Sequence, residues 1–425
     1  MPRERPARKR IRCALRHSRV WELLLAGVRP DQRGVASVGG GDIRAGAMRA
    51  AAPFLCVCVA SVLWGCASGP DEVPGPKAPP PSPAPSEPAP QPTTKAAATT
   101  PLPPERPPLA EMQRTALSRL LEAFRAHDAK KVAALYSDTV VSGSIGPLGW
   151  EEEIGQAPIE KGHTALFAAF PDMVWQSPRA FLKGDVAIQE WVSNATHKGD
   201  LGSMTATHKP TGIHGISVYW FDEDGLIRRD HTYYDSATIA RQTGSLPGKA
   251  REIPPLPAGE MKVITSTGAA DEGKRVDAAR AMYAAFAGED EKAFLATLDP
   301  EVVQKVYSQP EDQKGHKAAG DGYRAVHKAF SDLKVTATNA WGFGSWVVAE
   351  VVMTGKHTGP LGPIKATKKA VTVHSLDVLT FGPNDKVATI ESYSGSVELL
   401  GQVGALADEK SAPAKAPGPP AKPKK

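Results

Sequence analysis

The chain has 425 residues, 41% of them hydrophobic and 23% charged, which is enough for two or three domains with buried cores. Its net charge of +5 comes from the first 65 residues, which hold 12 basic and 4 acidic side chains. The rest of the chain holds 39 basic and 42 acidic side chains. The globular part is therefore nearly neutral, which argues against a nucleic-acid partner.

The first segment has the pattern of a processed leader. From Met48 the sequence MRAAAPFLCVCVASVLWGC has a basic start and a short apolar run, and its last four residues resemble a bacterial lipobox. We predict that residues 1–47 are an upstream mis-start, that residues 48–65 are a lipoprotein signal peptide, and that Cys66 carries the lipid. An ordinary secretory signal is the alternative. All four cysteines precede residue 67, so the rest of the chain has neither disulfides nor thiolate metal sites.

The lipobox resemblance implies a location as well. The protein is expected in the bacterial cell envelope, held to a membrane by the lipid on Cys66. Ala67 follows the cysteine, and the absence of aspartate at this position favours the outer membrane over the inner one by resemblance to known sorting.

Composition then divides the chain further. Residues 66–108 are rich in proline, alanine, serine and threonine, which predicts an extended linker without a core. Residues 407–425 form a lysine-, proline- and alanine-rich tail that is disordered by composition. Between them lie two globular stretches, residues 109–246 and 274–406, separated by a second linker at residues 247–273.

The two globular stretches repeat each other. A shift of 160 residues superimposes THKGDLG (residues 196–202) on KHTGPLG (residues 356–362), and pairs Glu190 with Glu350 and His214 with His374. No gap is needed over about 85 residues, so the chain contains a duplicated domain of about 130 residues. We expect the two copies to pack together through their exposed sheet faces, since this hides apolar strand residues.

Each copy opens with helical patterns and ends with strand patterns. In copy one, apolar residues from Met112 to Phe124 recur at three- and four-residue steps, DAKKVAALY begins at the N-cap Asp128, and KGHTALFAAFPD ends before Pro171. The segments DVAIQEWVSNATH and WVVAEVVMTGKH alternate as strands, and ISVYWFDEDGLIRRDHTYY and LDVLTFGPNDKVATIESYS read as hairpins. Helices followed by an antiparallel sheet predict an α+β domain.

The order of these features resembles the SnoaL-like polyketide cyclase family, also known as ester cyclases. The shared features are the helical start, the Pro171-Asp172 turn, the glycine-rich histidine phrase, the hairpin and the final Gln-x-Gly. The resemblance implies two tandem cone-shaped nuclear transport factor 2-like domains, each a curved antiparallel sheet covered by N-terminal helices. It further implies a blind pocket for a small apolar or polyketide-like molecule, and an intramolecular aldol condensation that uses no metal or organic cofactor.

The resemblance also implies a catalytic aspartate after the second hairpin strand and a histidine on the first. In this chain the aspartate position falls on Thr232 and Ser392, and the histidine position falls on Ser217 and Asp377. Neither copy has the pair, because a hydroxyl with a pKa far above 7 cannot replace a carboxylate as general base. This favours a role in binding small, largely apolar molecules. The alternatives are a cofactor-free acid/base enzyme of cyclase or isomerase type, and a non-catalytic envelope spacer.

Several other polar side chains are candidates for the pockets. Asp377 stands in an apolar strand. If it points inward, burial would raise its pKa toward a useful range, and with His357 and Glu391 it forms the candidate catalytic set; the alternative is an aspartate on the solvated face. The candidate pocket residues are Ser217, Thr232, Ser392, His197, His214, His231, Tyr233, Asp235, His374 and Tyr393.

Alternation along one strand puts His231, Tyr233 and Asp235 on one face and Thr232 on the other, and leaves open which face points inward. For His197 and His357 the alternative is a structural bond that fixes the glycine-rich turn. No cluster has metal-ligand spacing.

Overall fold

The computed structural model of the chain describes residues 107–202 and 204–406, which belong to one compact unit. The predicted leader, Cys66, nearly all of the first linker and the C-terminal tail lie outside the described residues. None of the helices in the described ranges is long and apolar enough to cross a bilayer.

Domain 1 follows the predicted order of helices and strands, with additional strands between the helices. Its elements are, in chain order, α1 (Leu109–Arg125), α2 (Ala129–Ala133), β1 (Tyr136–Gly146), β2 (Gly149–Ile154), α3 (Gln156–Ala169), β3 (Val174–Gln176), β4 (Arg179–Lys183), β5 (Val186–Thr196), β6 (Pro210–Phe221), β7 (Ile227–Tyr234) and α4 (Ser236–Thr243). The second linker then contributes a strand, β8 (Lys262–Thr265).

Domain 2 repeats this order. Its elements are α5 (Ala270–Ala287), α6 (Glu291–Ala296), β9 (Leu298–Val306), β10 (Gln313–Lys314), α7 (Gly315–Ala329), β11 (Phe330–Phe343), β12 (Trp346–His357), β13 (Ala370–Phe381), β14 (Val387–Ser394) and α8 (Ser396–Val403).

Local sequence explains where the first helices begin and end. The apolar positions of α1 form one buried face that includes Leu117, Leu120 and Phe124. The Asp128 side chain caps α2 by accepting a hydrogen bond from the backbone N–H of Lys131 at 3.0 Å. The helix is shorter than its sequence pattern predicts, because Tyr136 already begins β1.

Each domain has one mixed sheet. The strand order is β2-β1-β7-β6-β5-β4-β8 in domain 1, where β3 also pairs with β5, and β10-β9-β14-β13-β12-β11 in domain 2. The pairs β1–β7, β9–β14 and β4–β8 are parallel. The strand β8 lies in the segment predicted as linker; it hydrogen-bonds to β4, which would otherwise be an open edge.

The domains are arranged in layers. In each domain, helices cover one face of the sheet, which we call the inner face, and bury an apolar core against it. The opposite faces, the outer faces, pack on each other through a third core that mixes residues of both domains, among them Phe181, Ile216, Phe343 and Leu376. The predicted fold class, two tandem α+β domains, is confirmed.

Candidate functional site

A row of polar side chains crosses the inner face of domain 1. In the sheet register Gln189 on β5 pairs with Ser217 on β6, and Ser217 pairs with Thr232 on β7. The Ser217 and Thr232 hydroxyl oxygens are 2.9 Å apart, and the indole N–H of Trp191 donates to Ser217 Oγ at 3.2 Å. The row continues to a carboxylate, because the Thr232 hydroxyl lies 3.5 Å from Oδ2 of Asp230.

Asp230 is the acidic group of this face. It is 5% exposed, and burial raises its pKa to about 6, although the neighbouring hydroxyls of Ser142 and Thr232 lower that pKa in part. Its Oδ1 atom has no hydrogen-bond partner among residues 107–202 and 204–406. A carboxylate with a raised pKa and one unbonded oxygen has the properties of a general base near neutral pH.

Two buried amides add further unbonded oxygens to the same domain. The side-chain amide of Gln189 donates a hydrogen bond to the Met261 sulfur at 3.3 Å, and that of Gln113 donates to the Gly184 carbonyl at 3.0 Å. The side-chain oxygens of both glutamines lack a partner within the described ranges, and both residues are 0% exposed. Buried polar atoms are usually hydrogen-bonded, so each of these oxygens is a position at which a ligand or a water molecule can donate a hydrogen bond.

Aromatic side chains form the apolar walls beside this polar row. Trp191 packs near Trp175, with ring centroids 5.9 Å apart, and Trp175 stacks on Phe124 at 4.6 Å. Gly215 leaves room for the Trp191 ring, because a Cβ atom there would lie 2.1 Å from it. The inner face of domain 1 therefore sets a few polar atoms among packed aromatic side chains, the kinds of group that line small-molecule sites.

Domain 2 has a different polar group on its inner face. Asp377 is 6% exposed and burial raises its pKa, but both of its carboxylate oxygens are bonded. The Tyr283 hydroxyl donates to Oδ2 at 3.0 Å and the Ser392 hydroxyl to Oδ1 at 2.7 Å. Around it the face is apolar: Gln189, Trp191, Tyr219 and Asp230 of domain 1 correspond, at a shift of 160, to Ala349, Val351, Leu379 and Ile390.

The sequence grouped Asp377 with His357 and Glu391, and the structure separates these residues. Asp377 pairs in the sheet with Ala349, and His357 lies eight residues further along β12, about 26 Å away at roughly 3.3 Å per residue. Glu391 precedes Ser392 on β14, so its side chain points to the outer face. Neither residue can share a proton with Asp377 or raise its pKa by repulsion.

His197 and His357 have structural positions in the repeated phrase. Each is fully buried, packs on a phenylalanine (Phe170 or Phe330), and shares its Nδ1 with a threonine hydroxyl at 3.2 and 3.0 Å. The phrase also binds the end of the preceding helix: two of its backbone N–H groups in each copy donate to the carbonyl of Ala169 or Ala329.

The first glycine of the phrase allows this close approach. A Cβ atom at Gly199 would lie 2.5 Å from the Ala168 carbonyl oxygen, and one at Gly359 would lie 1.9 Å from that of Lys328. The phrase is repeated because both copies need the same backbone contact, and neither histidine lies in the polar row.

The structure also decides which face of β7 points inward. Thr232 and Asp230 face the helices, whereas His231 and Tyr233 face domain 2 and both bond Glu350. His214 stacks on Tyr307 with centroids 4.1 Å apart, and Tyr393 lies in the core between the domains. Strand alternation therefore turns these four pocket candidates to the outer face, and they do not line the inner face of their own domain.

The two remaining candidates are used in contacts near the domain boundary. Asp235 accepts hydrogen bonds from the Thr238 hydroxyl at 2.7 Å and from the backbone N–H of Ser396 at 2.8 Å. His374 bonds Glu398 through Nδ1 at 2.7 Å.

Sequence reasoning missed Asp230 and Gln189. The family resemblance implied Thr232, and Asp230 lies two residues earlier on the same face. A β-bulge between the pairs Trp220–Arg229 and Phe221–Ile227 shifts the alternation, so both Ile227 and Asp230 face inward. Counting back from Thr232 in steps of two would have found Asp230.

The described ranges contain no group of three or more His, Cys, Asp or Glu side chains arranged to hold a metal. Their inner faces show instead a helix-covered mixed sheet with one buried aspartate in each domain, which is the architecture of the nuclear transport factor 2-like class.

Comparison with known families extends this assignment. The SnoaL-like polyketide cyclase family matches the chain twice, over residues 114–243 and 276–403. These matches cover more than half of the chain, and the protein therefore belongs to the SnoaL-like polyketide cyclase family. No curated protein matches it.

Solved structures with a likeness to single domains come from several bacteria. AclR from Streptomyces galilaeus is 20% identical, with 32% of this chain and 85% of that one covered and a TM-score of 0.30. A protein with a ketosteroid isomerase-like fold from Catenulispora acidiphila is 18% identical, with 30% and 92% covered and a TM-score of 0.27. A protein described as a SnoaL-like polyketide cyclase from Jannaschia sp. CCS1 is 17% identical, with 32% and 96% covered and a TM-score of 0.30.

Proposed function

We propose that domain 1 is a cofactor-free acid/base catalyst of the cyclase or isomerase type, which acts on a small, largely apolar carbonyl compound. The observation that carries this proposal is the Asp230 carboxylate: it is buried, its pKa is raised to about 6, and its Oδ1 atom is unbonded. A carboxylate abstracts a proton next to a carbonyl most effectively when its pKa lies near the working pH.

The chemistry follows from the atoms beside Asp230. Oδ1 takes a proton from the carbon next to the substrate carbonyl, and the electron pair of the C–H bond moves to the carbonyl oxygen to form an enolate. In a cyclase reaction the enolate carbon then attacks a second carbonyl carbon of the same molecule, and the oxygen of that carbonyl takes the proton back from Asp230. In an isomerase reaction a conjugated enolate takes this proton back at its remote carbon. The Trp191 indole N–H and the hydroxyls of Ser217 and Thr232 bond one another in a row that ends at Asp230, and this row holds the carboxylate in place.

Exchange of the acidic protons of a cyclic ketone in D2O tests this proposal with the full chain. Asp230→Asn keeps the shape and removes the base, so deuterium incorporation measured by mass spectrometry should fall by roughly 10²–10⁴-fold. The control is Asp377→Asn, whose carboxylate oxygens are both bonded and whose loss should change the rate less than about threefold. Equal rates for the parent and Asp230→Asn would show that Asp230 is not the base.

A second candidate function concerns domain 2. Its inner face is apolar around a fully bonded Asp377, which favours non-catalytic binding of an apolar molecule over proton transfer. Native mass spectrometry of the purified chain should recover a small molecule whose occupancy falls when Ala349 is replaced by Phe. Occupancy that depends on Asp230 and not on Ala349 would assign the bound molecule to domain 1.

We further propose that the protein is exported and held at the cell envelope by a lipid on Cys66, as the lipobox-like sequence predicts. Substitution Cys66→Ser should release the protein from membranes into the soluble fraction, as measured by fractionation and immunoblotting. Unchanged membrane association would exclude the anchor. The envelope spacer without chemistry stays the alternative if both the exchange assay and the ligand search fail.

A further inference from the structure

A cleft of about 170 Å³ lies between the two domains, on the outer faces and away from the inner faces described above. Domain 1 contributes Trp150, His231 and Tyr233 to it. Domain 2 contributes strands β11, β12 and β13, including Asn339, Glu350 and His374. We call it the interdomain cleft. It exists only because the two domains are packed together.

The pseudo-symmetric position on the other half of the interface is filled. There Arg179 bonds both Glu190, at 2.7 Å through Nη2, and Glu391, and the neighbouring void, lined by His214 and Tyr307, has only about 10 Å³. At a shift of 160 residues, Arg179 of domain 1 corresponds to the shorter Asn339 of domain 2, and His231 of domain 1 corresponds to Glu391 of domain 2. The interdomain cleft is open because the guanidinium group is missing from this half.

The polar atoms of the cleft are held by buried carboxylates. Glu350, 3% exposed, accepts from His231 Nδ1 at 2.6 Å, from the Tyr233 hydroxyl at 2.8 Å and from Asn339 Nδ2 at 2.6 Å. Burial alone would raise the pKa of Glu350, but these bonds outweigh it and lower the pKa, so the carboxylate stays ionised.

The two histidines have the same arrangement. His374 Nδ1 is 2.7 Å from Oε1 of Glu398, which is 0% exposed, just as His231 Nδ1 bonds Glu350. In a neutral imidazole whose Nδ1–H donates to a carboxylate, Nε2 is an acceptor. His231 Nε2 already lies 3.4 Å from Arg229 Nη1, so His374 supplies the freer acceptor.

An aromatic surface lies between these histidines. The Trp150 ring is centred 4.8 Å from that of His231 and 5.4 Å from that of His374. Gly143 makes room for the indole, since a Cβ atom there would lie 2.4 Å from the ring. Val352, on the outer face of β12, completes an apolar wall.

We propose that the interdomain cleft is a second binding site, for a neutral planar molecule of about the size of phenol whose hydroxyl donates to His374 Nε2. The size follows from the volume, because cavities of about 150 Å³ hold a benzene ring. The ring lies against Trp150 and Val352, and the single polar group meets the imidazole. This site is independent of the Asp230 site and of the chemistry proposed for it.

Titration of the full chain with phenol and with fluorobenzene tests the proposal. The two probes have the same number of non-hydrogen atoms, but only phenol has a hydroxyl. Ligand-observed NMR should give an affinity for phenol roughly 3–10-fold higher than for fluorobenzene, which is the effect of one hydrogen bond. Equal affinities would overturn the proposed role of the imidazole acceptor, and this comparison requires no variant.

Variants then assign the bound phenol to the cleft. His374→Gln keeps a donor for Glu398 and removes the imidazole acceptor, so phenol affinity should fall roughly 3–10-fold toward that of fluorobenzene. His214→Gln, at the pseudo-equivalent position in the filled half, should leave phenol affinity unchanged, as should Asp230→Asn. Phenol binding that survives in His374→Gln but is lost in Asp230→Asn would overturn the assignment, because the molecule would then occupy domain 1.

Discussion

The inner faces of the two domains differ although the domains share one fold. Domain 1 has a polar row that ends in Asp230 and leaves oxygens unbonded, whereas domain 2 has one aspartate whose oxygens are both bonded, by Tyr283 and Ser392. The fold depends on the apolar pattern and on the glycine-rich phrase, which both copies have. The chemistry depends on a few inward positions, which can change while the fold is kept.

The outer faces differ as well. Arg179 of domain 1 lies where domain 2 has Asn339, and this exchange determines which half of the interface is filled. The domains are thus related in their backbones and unequal on both faces of their sheets.

The largest effect is expected from removing the Arg179 guanidinium group, which fills one half of the interface between the domains. Arg179→Met leaves Glu190 and Glu391, 3% and 8% exposed, without their main cation, and should lower the free energy of unfolding by about 3–5 kcal/mol. The control Asn339→Met removes one of three bonds to Glu350 and should cost about 1 kcal/mol. Urea unfolding measures both, and equal losses would mean that the two halves are energetically alike.

The next effect concerns the pH dependence of proton exchange in domain 1. A base with a pKa of about 6 is about 1% ionised at pH 4, so the exchange rate should rise about 100-fold from pH 4 to pH 8 and level off above pH 7. The profile should be unchanged in Asp377→Asn. A rate that is flat between pH 4 and pH 8 would contradict Asp230 as the base.

The same pKa shift has a consequence for stability. The folded-state pKa of Asp230 is raised from an ordinary value near 4 to about 6, so the fold disfavours the ionised form. This destabilisation is absent below pH 4 and complete above pH 6. Asp230→Asn should therefore raise the free energy of unfolding by about 2–3 kcal/mol at pH 8 and by much less at pH 4. Urea midpoints at the two pH values measure this, and a gain of the same size at both would point to a cause other than ionisation.

The smallest effect is expected at the position where the domains exchange serine for aspartate. Ser217→Ala removes one partner each from Trp191 and Thr232 and should cost about 1 kcal/mol of stability. Proton exchange should stay within about threefold of the parent rate, because the serine is a contact and not the base. A loss comparable to that of Asp230→Asn would give Ser217 a direct part in proton transfer.

The sequence by itself determined the duplicated α+β fold and its family. Apolar periodicity, the N-cap at Asp128 and the repeated phrase are local signals, and local hydrogen bonding and burial convert them directly into helices, turns and strands. For Asp377, which stands in an apolar strand, the sequence left an inward and a solvated position open, and the structure buries it.

Which polar residues meet depends on how the two sheets are assembled. Strand alternation requires neighbouring residues of β7 to point in opposite directions, but it does not show which direction is inward. The bulge at Phe221 also shifts the alternation along the strand. The partners of His231 and Tyr233 are also distant in sequence, since both bond Glu350 of the other domain. Contacts between residues more than 100 positions apart leave no periodic trace in the chain, so the Asp230 row and the interdomain cleft become visible only when the sheets are assembled.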